Sequence, residues 1–475
     1  MLFNSYFFLL AFLPVTVLLY HIINKSGKYY LAHFFLLTMS LWFYSYTNIR
    51  FLPFILLSIC VNYGIYILMK KYKFRRILLV IALSFNLGVL LYFKYYNFFI
   101  DSTNMIFKTS FSIKSILLPL GISFMTFQQI AFIVDTYHNK TDRCSFMEYA
   151  LFIAFFPHVL SGPILTYDDF IPLLRDEKRR KVDWDRLAEG IYMFALGLGK
   201  KVLLADVFVQ SVDYGYNNIA KLNTTSAIFV SLAYTLQIYF DFSGYCDMAV
   251  GISRMLNLNL PANFNSPYKS KTIIEFWDRW HMTLTRFFTK YVYIPLGGNR
   301  KGTLRTYMNT MFVFICSGFW HGASWTFILW GFLHGAFLVI TKRFKHVFDK
   351  VPGVIMWGIT MLFINATWIL FRAESFKTFK DMCVVLFSNN WGGLNRELCA
   401  TFDSYLWGWL PALPYWGLAC FYLVLAMVII LKCKNSEEKA VELRYNFRSV
   451  ILTVVIVILS ILLFSDVTTY IYTNF

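Results

Sequence analysis

The sequence predicts an all-helical (all-α) protein that crosses a lipid bilayer many times. Of the 475 residues, 58% are hydrophobic and only 15% are charged, whereas soluble domains carry about 25% charged residues. Apolar runs close to the ~20 residues that span the hydrocarbon layer as a helix recur along the whole chain. Lys and Arg are concentrated in short loops between these runs, which is typical of polytopic membrane proteins.

The net charge of +18 is the one feature that would also fit a nucleic-acid-binding protein. The basic residues do not form one soluble face, however, because clusters such as residues 70–76 and 175–181 flank apolar runs. The preference of Lys and Arg for cytoplasmic loops explains these clusters. The pair Lys200 and Lys201 fits a basic helix end better than a phosphate-binding loop. We therefore expect a lipid bilayer, and no nucleic acid, as a partner.

The first apolar run, residues 6–23, has no basic residue before it and no small-residue cleavage site after it. This favours a retained span over a signal peptide. The first positive charge, Lys25, follows the run, which favours an amino terminus on the outer side. About twelve crossings, with both termini outside, are predicted from the apolar runs at residues 6–23, 31–46, 51–69, 77–96, 116–134, 190–209, 228–252, 307–319, 325–340, 354–371, 410–431 and 450–464.

Two segments do not fit a simple crossing. Residues 146–160 form a short apolar run that contains Pro157 and lies between basic loops, so a re-entrant segment fits better. Residues 253–305 are polar and charged, which places this amphipathic or re-entrant region in the cytoplasm. No internal repeat or composition boundary divides the chain, and we expect a single membrane domain over residues 1–475.

Residues 276–288 have the pattern of an amphipathic helix at the membrane surface. Helical spacing places the large apolar side chains on one stripe and the charged side chains elsewhere. The stripe consists of Trp277, Trp280, Leu284, Phe287 and Phe288. His281 lies in this segment either as a structural residue of an interfacial helix or as a functional group on the cytoplasmic side, and the pattern leaves both readings open.

His321 is an ionisable residue between two short apolar runs, residues 307–319 and 325–340. Such groups are costly at membrane depth and usually functional, although a lone buried histidine can also be a satisfied core residue. Thirteen residues make only about 20 Å of helix, so the turn that carries His321 is expected inside the protein. An imidazole there can act as a general base. Glycine pairs at G-x-x-x-G spacing favour close helix packing around this turn: Gly318 with Gly322, and Gly331 with Gly335.

Other polar residues in the apolar runs are weaker candidates. Ser317 and Cys316 precede His321 closely enough to be acyl-carrying nucleophiles on one helix, but small packing residues are the simpler interpretation. Asp241 and Asp247 share one apolar run and need partners there, such as a basic group or a histidine. The eight cysteines lack metal-ligand spacing, which predicts buried free thiols and no metal site.

Three motifs occur in order in the second half of the chain. They are Phe276-Trp277-Asp278-Arg279-Trp280-His281, Tyr291-Val292-Tyr293-Ile294-Pro295-Leu296-Gly297-Gly298-Asn299, and Trp320-His321-Gly322 followed by Trp330-Gly331. Together they resemble the membrane-bound O-acyltransferase (MBOAT) family, and most of all its bacterial branch of alginate and peptidoglycan O-acetyltransferase membrane components. The resemblance covers nearly the whole chain, and several motifs in the same order are a more specific signal than a lone Trp-His-Gly.

The resemblance implies a ring of tilted helices around a central tunnel, which joins a cytoplasmic donor entrance to an outer acceptor funnel. His321 matches the central catalytic histidine of the family, and His281 matches its second, cytoplasmic-side histidine. Supporting or tunnel-lining residues are expected in and near the motifs: Asp241, Ser243, Tyr245, Asp278, Arg279, Trp280, Ser317 and Trp320. No bound cofactor or metal is expected, and the donor substrate is an acyl thioester, either acetyl-CoA or an acyl-carrier thioester.

The resemblance implies an O-acyltransferase of the bacterial cytoplasmic (inner) membrane that acetylates a cell-envelope polysaccharide such as peptidoglycan or alginate. Because the outer loops look short, an outer-side partner, a serine esterase-like (SGNH-type) transferase, is expected to complete transfer to the polymer. One alternative is D-alanyl transfer to teichoic acid by the same fold. The other is a proton-coupled transporter that uses His321, Asp241 and Asp247, although paired repeats typical of transporters are not visible.

Overall fold

The computed structural model describes residues 1–402, 414–464 and 470, and the chain is helical over most of them. In chain order the α-helices are α1 (Leu13–Lys25), α2 (Tyr29–Ser45), α3 (Phe51–Lys71), α4 (Arg75–Leu90), α5 (Tyr96–Phe107), α6 (Ile122–Tyr137), α7 (Phe146–Ala154), α8 (Tyr167–Arg175), α9 (Trp184–Gly199), α10 (Asp206–Asn217), α11 (Thr224–Met255), α12 (Ile273–Arg279), α13 (Met282–Phe288), α14 (Thr303–His321), α15 (Trp325–Arg343), α16 (Lys345–Phe348), α17 (Gly353–Arg372), α18 (Phe376–Leu386), α19 (Arg396–Ala400), α20 (Gly417–Lys432), α21 (Ser436–Val441) and α22 (Phe447–Leu462). The all-helical prediction is confirmed for these residues.

Five helical stretches of the described chain are long and apolar enough to cross a membrane: Phe8–Lys25, Phe51–Lys71, Arg75–Phe107, Trp325–Arg343 and Gly353–Arg372. Each coincides with a predicted span, which supports a multi-pass membrane protein. Two shorter apolar helices, α20 and α22, fall at the last two predicted spans. The first residues of the predicted span 410–431 lie outside the described residues, as do the last residues of the carboxyl terminus.

The helix predicted at residues 116–134 begins later than expected, at Ile122. Gly121 precedes it with a left-handed φ of 66°. A Cβ at Gly121 would lie 2.1 Å from the carbonyl oxygen of Val159, so a sharp turn that only glycine fits delays the start of the helix.

The predicted re-entrant segment, residues 146–160, contains only the nine-residue helix α7. A helix of this length spans about 14 Å, which is too short to cross the bilayer. Its start is defined by a capping box, in which Ser145 and Glu148 satisfy each other's backbone N–H groups. The helix ends at Ala154, immediately before the sequence Phe-Phe-Pro-His.

The described chain forms two compact units. The first consists of Met1–Phe194 and Cys246–Ala262, and the second of Ala195–Tyr245 and Asn263–Phe475. Aromatic rings fill the core of the first unit, where Phe156 packs 5.3 Å from Phe12 and 5.5 Å from Phe43 between ring centroids. The second unit holds both histidines that the sequence predicts to be catalytic.

The helical hairpin α14–α15 places His321 in the second unit. Helix α14 is 19 residues long. It extends beyond the apolar run 307–319 because it begins with a polar turn. A Cβ at Gly318 would lie 2.2 Å from the carbonyl oxygen of Phe327, and a Cβ at Gly331 would lie 2.3 Å from that of Phe314. The two backbones are thus in direct contact, as the glycine spacing predicts.

The predicted continuous surface helix at residues 276–288 is wrong. The chain breaks between α12 and α13 at His281, whose φ is 46°, and the aromatic residues before the break are buried. Trp280 is 1% exposed and packs 5.1 Å from Trp368. The apolar stripe has helical spacing on both sides of the break, so the sequence pattern does not reveal it. Tertiary packing of the aromatic residues decides the local structure instead.

We predict that Gly331→Ala destabilises the protein strongly, because the new methyl group would overlap the carbonyl of Phe314. Overpacking of this kind typically costs about 1–3 kcal/mol. Gly358→Ala in α17 is the matched control, since a Cβ there meets nothing within 4 Å. Thermal unfolding of the two purified variants in detergent compares them. Equal midpoints for both would contradict the close backbone contact.

Candidate active site

His321 is the last residue of α14 and lies in a shell of aromatic rings. Its side chain is buried, at 2% exposure. Ring centroids lie 5.0 Å away at Trp320, 5.2 Å away at Trp330 and 5.4 Å away at Phe371. The helix ends there because Gly322 has an extended backbone, and a Cβ at Gly322 would overlap the ring of Phe327. The imidazole is therefore held at the end of a helix, in apolar surroundings.

His281 lies in the same shell, although it is 40 residues away in sequence. It is fully buried, and its ring centroid lies 6.4 Å from that of His321 and 6.0 Å from that of Trp320. Phe242 of α11 covers it edge-on at 4.8 Å. The structure thus brings together the two histidines and Trp320, three of the residues that the sequence predicts for the site.

Asn263 holds His281 in position. Its Oδ1 lies 3.1 Å from Nδ1 of His281 and accepts hydrogen bonds from the backbone N–H of Thr283 at 3.1 Å and from the hydroxyl of Thr283 at 2.9 Å. The backbone carbonyl of Asn263 also accepts from the N–H of Met282. Four contacts therefore stabilise the left-handed conformation of His281, which for a residue with a Cβ costs of order 1–3 kcal/mol.

Burial lowers the pKa of the His281 imidazole to about 3. The reason is that burial removes water from around the ring, and the charged imidazolium loses more hydration free energy than the neutral imidazole does. His281 is consequently a neutral imidazole at physiological pH. It can accept a proton only transiently, as a general base does.

A third histidine, His334, belongs to the same aromatic cluster and was missed in the sequence. Its ring lies 4.5 Å from Trp330 and 5.2 Å from Trp277, and its Nε2 lies 3.0 Å from the hydroxyl of Thr367. The only feature of the sequence that points to His334 is its position one helical turn after Trp330 on α15. Helical spacing of that kind is common in ordinary cores, so it could not single out His334.

Asp241 has the basic partner that its position in an apolar run requires. Lys201 is fully buried and lies 2.6 Å from Asp241 and 2.8 Å from Asp206. The interpretation of Lys201 as a basic helix end was therefore wrong, because this lysine forms ion pairs with two buried carboxylates. The aromatic ring of Tyr470 covers the ammonium at 4.8 Å, and Tyr245 packs against that ring at 4.9 Å.

Three further residues predicted for the site have structural surroundings of their own. Arg279 pairs with Glu275 at 2.9 Å. Trp280 stacks on Phe276 at 5.5 Å and belongs to the aromatic core. Ser243 is buried on α11 at 1% exposure.

A cavity of about 210 Å³ lies between α12, α13, α14 and α15. Ser317, one turn before His321, lies in its wall, and Trp277 lies between the cavity and His334. Asp278 and Lys342 lie in the wall as well. The remaining wall is mostly apolar, formed by Ile274, Leu284, Thr285, Phe288, Thr289, Tyr293, Thr310, Val313, Phe314 and Leu338.

This arrangement suits proton transfer in a dry environment. A neutral imidazole can take a proton from a hydroxyl group and return it to a leaving group. Aromatic enclosure excludes water that would otherwise compete for a reactive acyl group. Within the described residues, no cluster of three or more His, Cys, Asp or Glu side chains has the geometry of a metal site.

Comparison with known proteins gives concordant matches. The sequence model of the membrane-bound O-acyltransferase family matches residues 31–376. The peptidoglycan O-acetyltransferase of Helicobacter pylori is 40% identical over 411 residues, which cover 80% of this chain and 78% of that protein. The probable alginate O-acetylase AlgI of Azotobacter vinelandii is 38% identical over 82% of this chain and 78% of its own length. The teichoic acid D-alanyltransferase of Streptococcus thermophilus is 30% identical over 48% of this chain and 57% of its own length.

Proposed function

The chain belongs to the membrane-bound O-acyltransferase family, and on this premise we propose how it acts and on what. It is a multi-pass membrane O-acetyltransferase that serves the modification of a cell-envelope polysaccharide, peptidoglycan or alginate. In our proposal it lies in the bacterial inner membrane, with about twelve crossings and both termini outside. It takes an acetyl group from a cytoplasmic thioester and delivers it to a hydroxyl on the outer side.

The pair His321 and His281 is the observation that carries this proposal. The hydroxyl oxygen of the acceptor attacks the thioester carbonyl carbon, and His321 takes the hydroxyl proton as general base. The new C–O bond forms, the C–S bond breaks, and the proton returns to the departing sulfur as a thiol. This chemistry needs no metal, because a thioester is already an activated acyl group.

The cavity between α12, α13, α14 and α15 supports a donor that arrives from the cytoplasmic side. Its wall includes residues of α12 and α13, which belong to the region 253–305 that we propose to be cytoplasmic because of its Lys and Arg. Lys342 and Asp278 add charged groups to the wall, and Ser317, one helical turn before His321, also lines it. The donor is thus an acetyl thioester of coenzyme A or of an acyl carrier, whose slender arm suits an apolar channel.

Burial of both histidines supports a small acceptor rather than a polymer. His321 is 2% exposed and His281 is fully buried, so the middle of a polysaccharide chain has no open groove in which to reach them. A slim hydroxyl-bearing side chain or sugar end can enter more easily. We therefore propose that the acetyl group passes to an outer-side serine esterase-like (SGNH-type) transferase, which completes transfer to the polysaccharide.

Acetyl transfer is favoured over D-alanyl transfer by the extent of the matches. The Helicobacter pylori peptidoglycan O-acetyltransferase aligns over 80% of this chain, whereas the teichoic acid D-alanyltransferase aligns over 48% at lower identity. Family membership also favours a transferase over the proton-coupled transporter.

We predict that His321→Ala abolishes acetyl transfer while the protein still folds. Losing a general base costs about 100- to 10,000-fold in rate. Purified protein in nanodiscs, incubated with labelled acetyl-CoA or acetyl-carrier thioester and a small hydroxyl acceptor, measures the rate. His346→Ala, in the short helix α16 outside the aromatic shell, is the matched control and should keep full activity. Near-normal turnover by folded His321→Ala protein would refute the assignment.

We also predict that transfer to internal sugars of the polysaccharide needs the outer-side partner. The measurement is acetylation of peptidoglycan or alginate by the reconstituted chain, with and without a purified SGNH-type transferase from the same organism. We expect ester formation on the polymer only with the partner present. Efficient acetylation of internal sugars by this chain alone would rule out the relay.

A further inference from the structure

The contacts of Asn263 also bear on which ring nitrogen of His281 carries the proton. The backbone N–H of Thr283 donates to the same Asn263 atom that contacts His281, and a backbone N–H can only be a donor. This atom is therefore the amide oxygen, because the amide nitrogen could not accept that bond. Nδ1 of His281, 3.1 Å from this oxygen, must then carry a proton to form a hydrogen bond.

A neutral imidazole holds one proton, so a proton on Nδ1 leaves a lone pair on Nε2. The neutral state follows from burial, which lowers the pKa of His281. Among the described residues, His321 of α14 is a titratable group that faces His281, at 6.4 Å between ring centroids. Phe242 of α11 and Trp320 of α14 also contact the ring and carry no charge. On its own segment, Arg279 is paired with Glu275.

We propose that Asn263 is a positioning residue that holds His281 as the Nδ1–H tautomer, so that Nε2 acts as a proton acceptor in the reaction. This inference rests on the proposed acetyl transfer. In that reaction the hydroxyl proton must leave as the C–O bond forms and must reach the departing sulfur as the C–S bond breaks. Nε2 of His281 supplies a lone pair on this route. The same tautomer prevents His281 from donating a hydrogen bond through Nε2 to the thioester carbonyl oxygen.

Asn263 is well placed for this role because it is itself held rigidly. It is 2% exposed, its Oδ1 accepts from the backbone N–H and the hydroxyl of Thr283, and its backbone carbonyl accepts from the N–H of Met282. Positioning partners of a functional histidine typically contribute about 10- to 100-fold to activity.

The first test reads the tautomer directly in the intact protein. The full chain is labelled with ¹⁵N-histidine and reconstituted in nanodiscs, and the His281 signals are assigned from the difference to a His281→Asn sample. We expect ring ¹⁵N NMR to show the proton on Nδ1. A proton on Nε2 would overturn the proposal. Because this measurement needs no turnover, it stays decisive even if acetyl transfer itself is not found, a result that would count against the proposed function alone.

The second test uses the pH dependence of turnover. Asn263→Ala removes the acceptor for Nδ1–H, and kcat should fall about 10- to 100-fold. Asn263→Asp keeps an acceptor oxygen but adds a negative charge, which favours the imidazolium and should move the acid limb of the pH–rate profile upward by roughly 1–3 units. An unchanged acid limb in Asn263→Asp, or kcat within about twofold of wild type in Asn263→Ala, would contradict the proposal.

Asn257→Ala is the matched control for these variants. Asn257 is also a buried asparagine, and its amide donates to the backbone carbonyls of Arg179 and Lys181. This substitution removes structural hydrogen bonds, so it should lower the yield of folded protein. The pH–rate profile of the folded fraction should stay where it is in the wild type. A shift equal to that of Asn263→Asp would mean that the profile reports general destabilisation, and the proposal would fail.

Discussion

Direct backbone contact between α14 and α15 is the constraint on which the rest of the site depends. Gly318 and Gly331 leave no room for a Cβ, since the carbonyl oxygens of the facing helix would lie 2.2 Å and 2.3 Å from it. This contact sets how closely α14 lies against α15. Its last residue, His321, consequently lies against Trp330 of α15. Because positions 318 and 331 have room only for glycine, close packing of the two helices determines where the imidazole lies.

The second physical factor is the exclusion of water. Both histidines lie among aromatic rings. Burial lowers the pKa of His281, so its imidazole is neutral, which is the form that general-base chemistry requires. Dry surroundings also slow the hydrolysis of an activated acyl group. The unfavourable left-handed backbone of His281 is offset by the hydrogen bonds of Asn263. The buried carboxylates Asp206 and Asp241 are stabilised differently, because both form direct ion pairs with Lys201.

The sequence predicts the helical membrane fold and His321 because both depend on local features. A run of apolar residues needs only its length to indicate a span, and one ionisable group in such a run is conspicuous. The break at His281 was not predictable, because apolar spacing continues through it. The partner of Asp241 was missed because Lys201 lies 40 residues away and its sequence context is that of a basic helix end. Asn263 gave no signal either, as its role arises only when the loop after α11 folds against α13.

A double-mutant cycle on His281 and His321 tests most directly whether the two imidazoles act as one site. Rates of acetyl transfer would be measured for His281→Ala, His321→Ala and the double variant in nanodiscs. Residues that act as a unit show strongly non-additive effects. We therefore predict that the double variant is no slower than the slower single variant. If the two rate reductions multiply instead, the histidines act independently, and the shared site described here is contradicted.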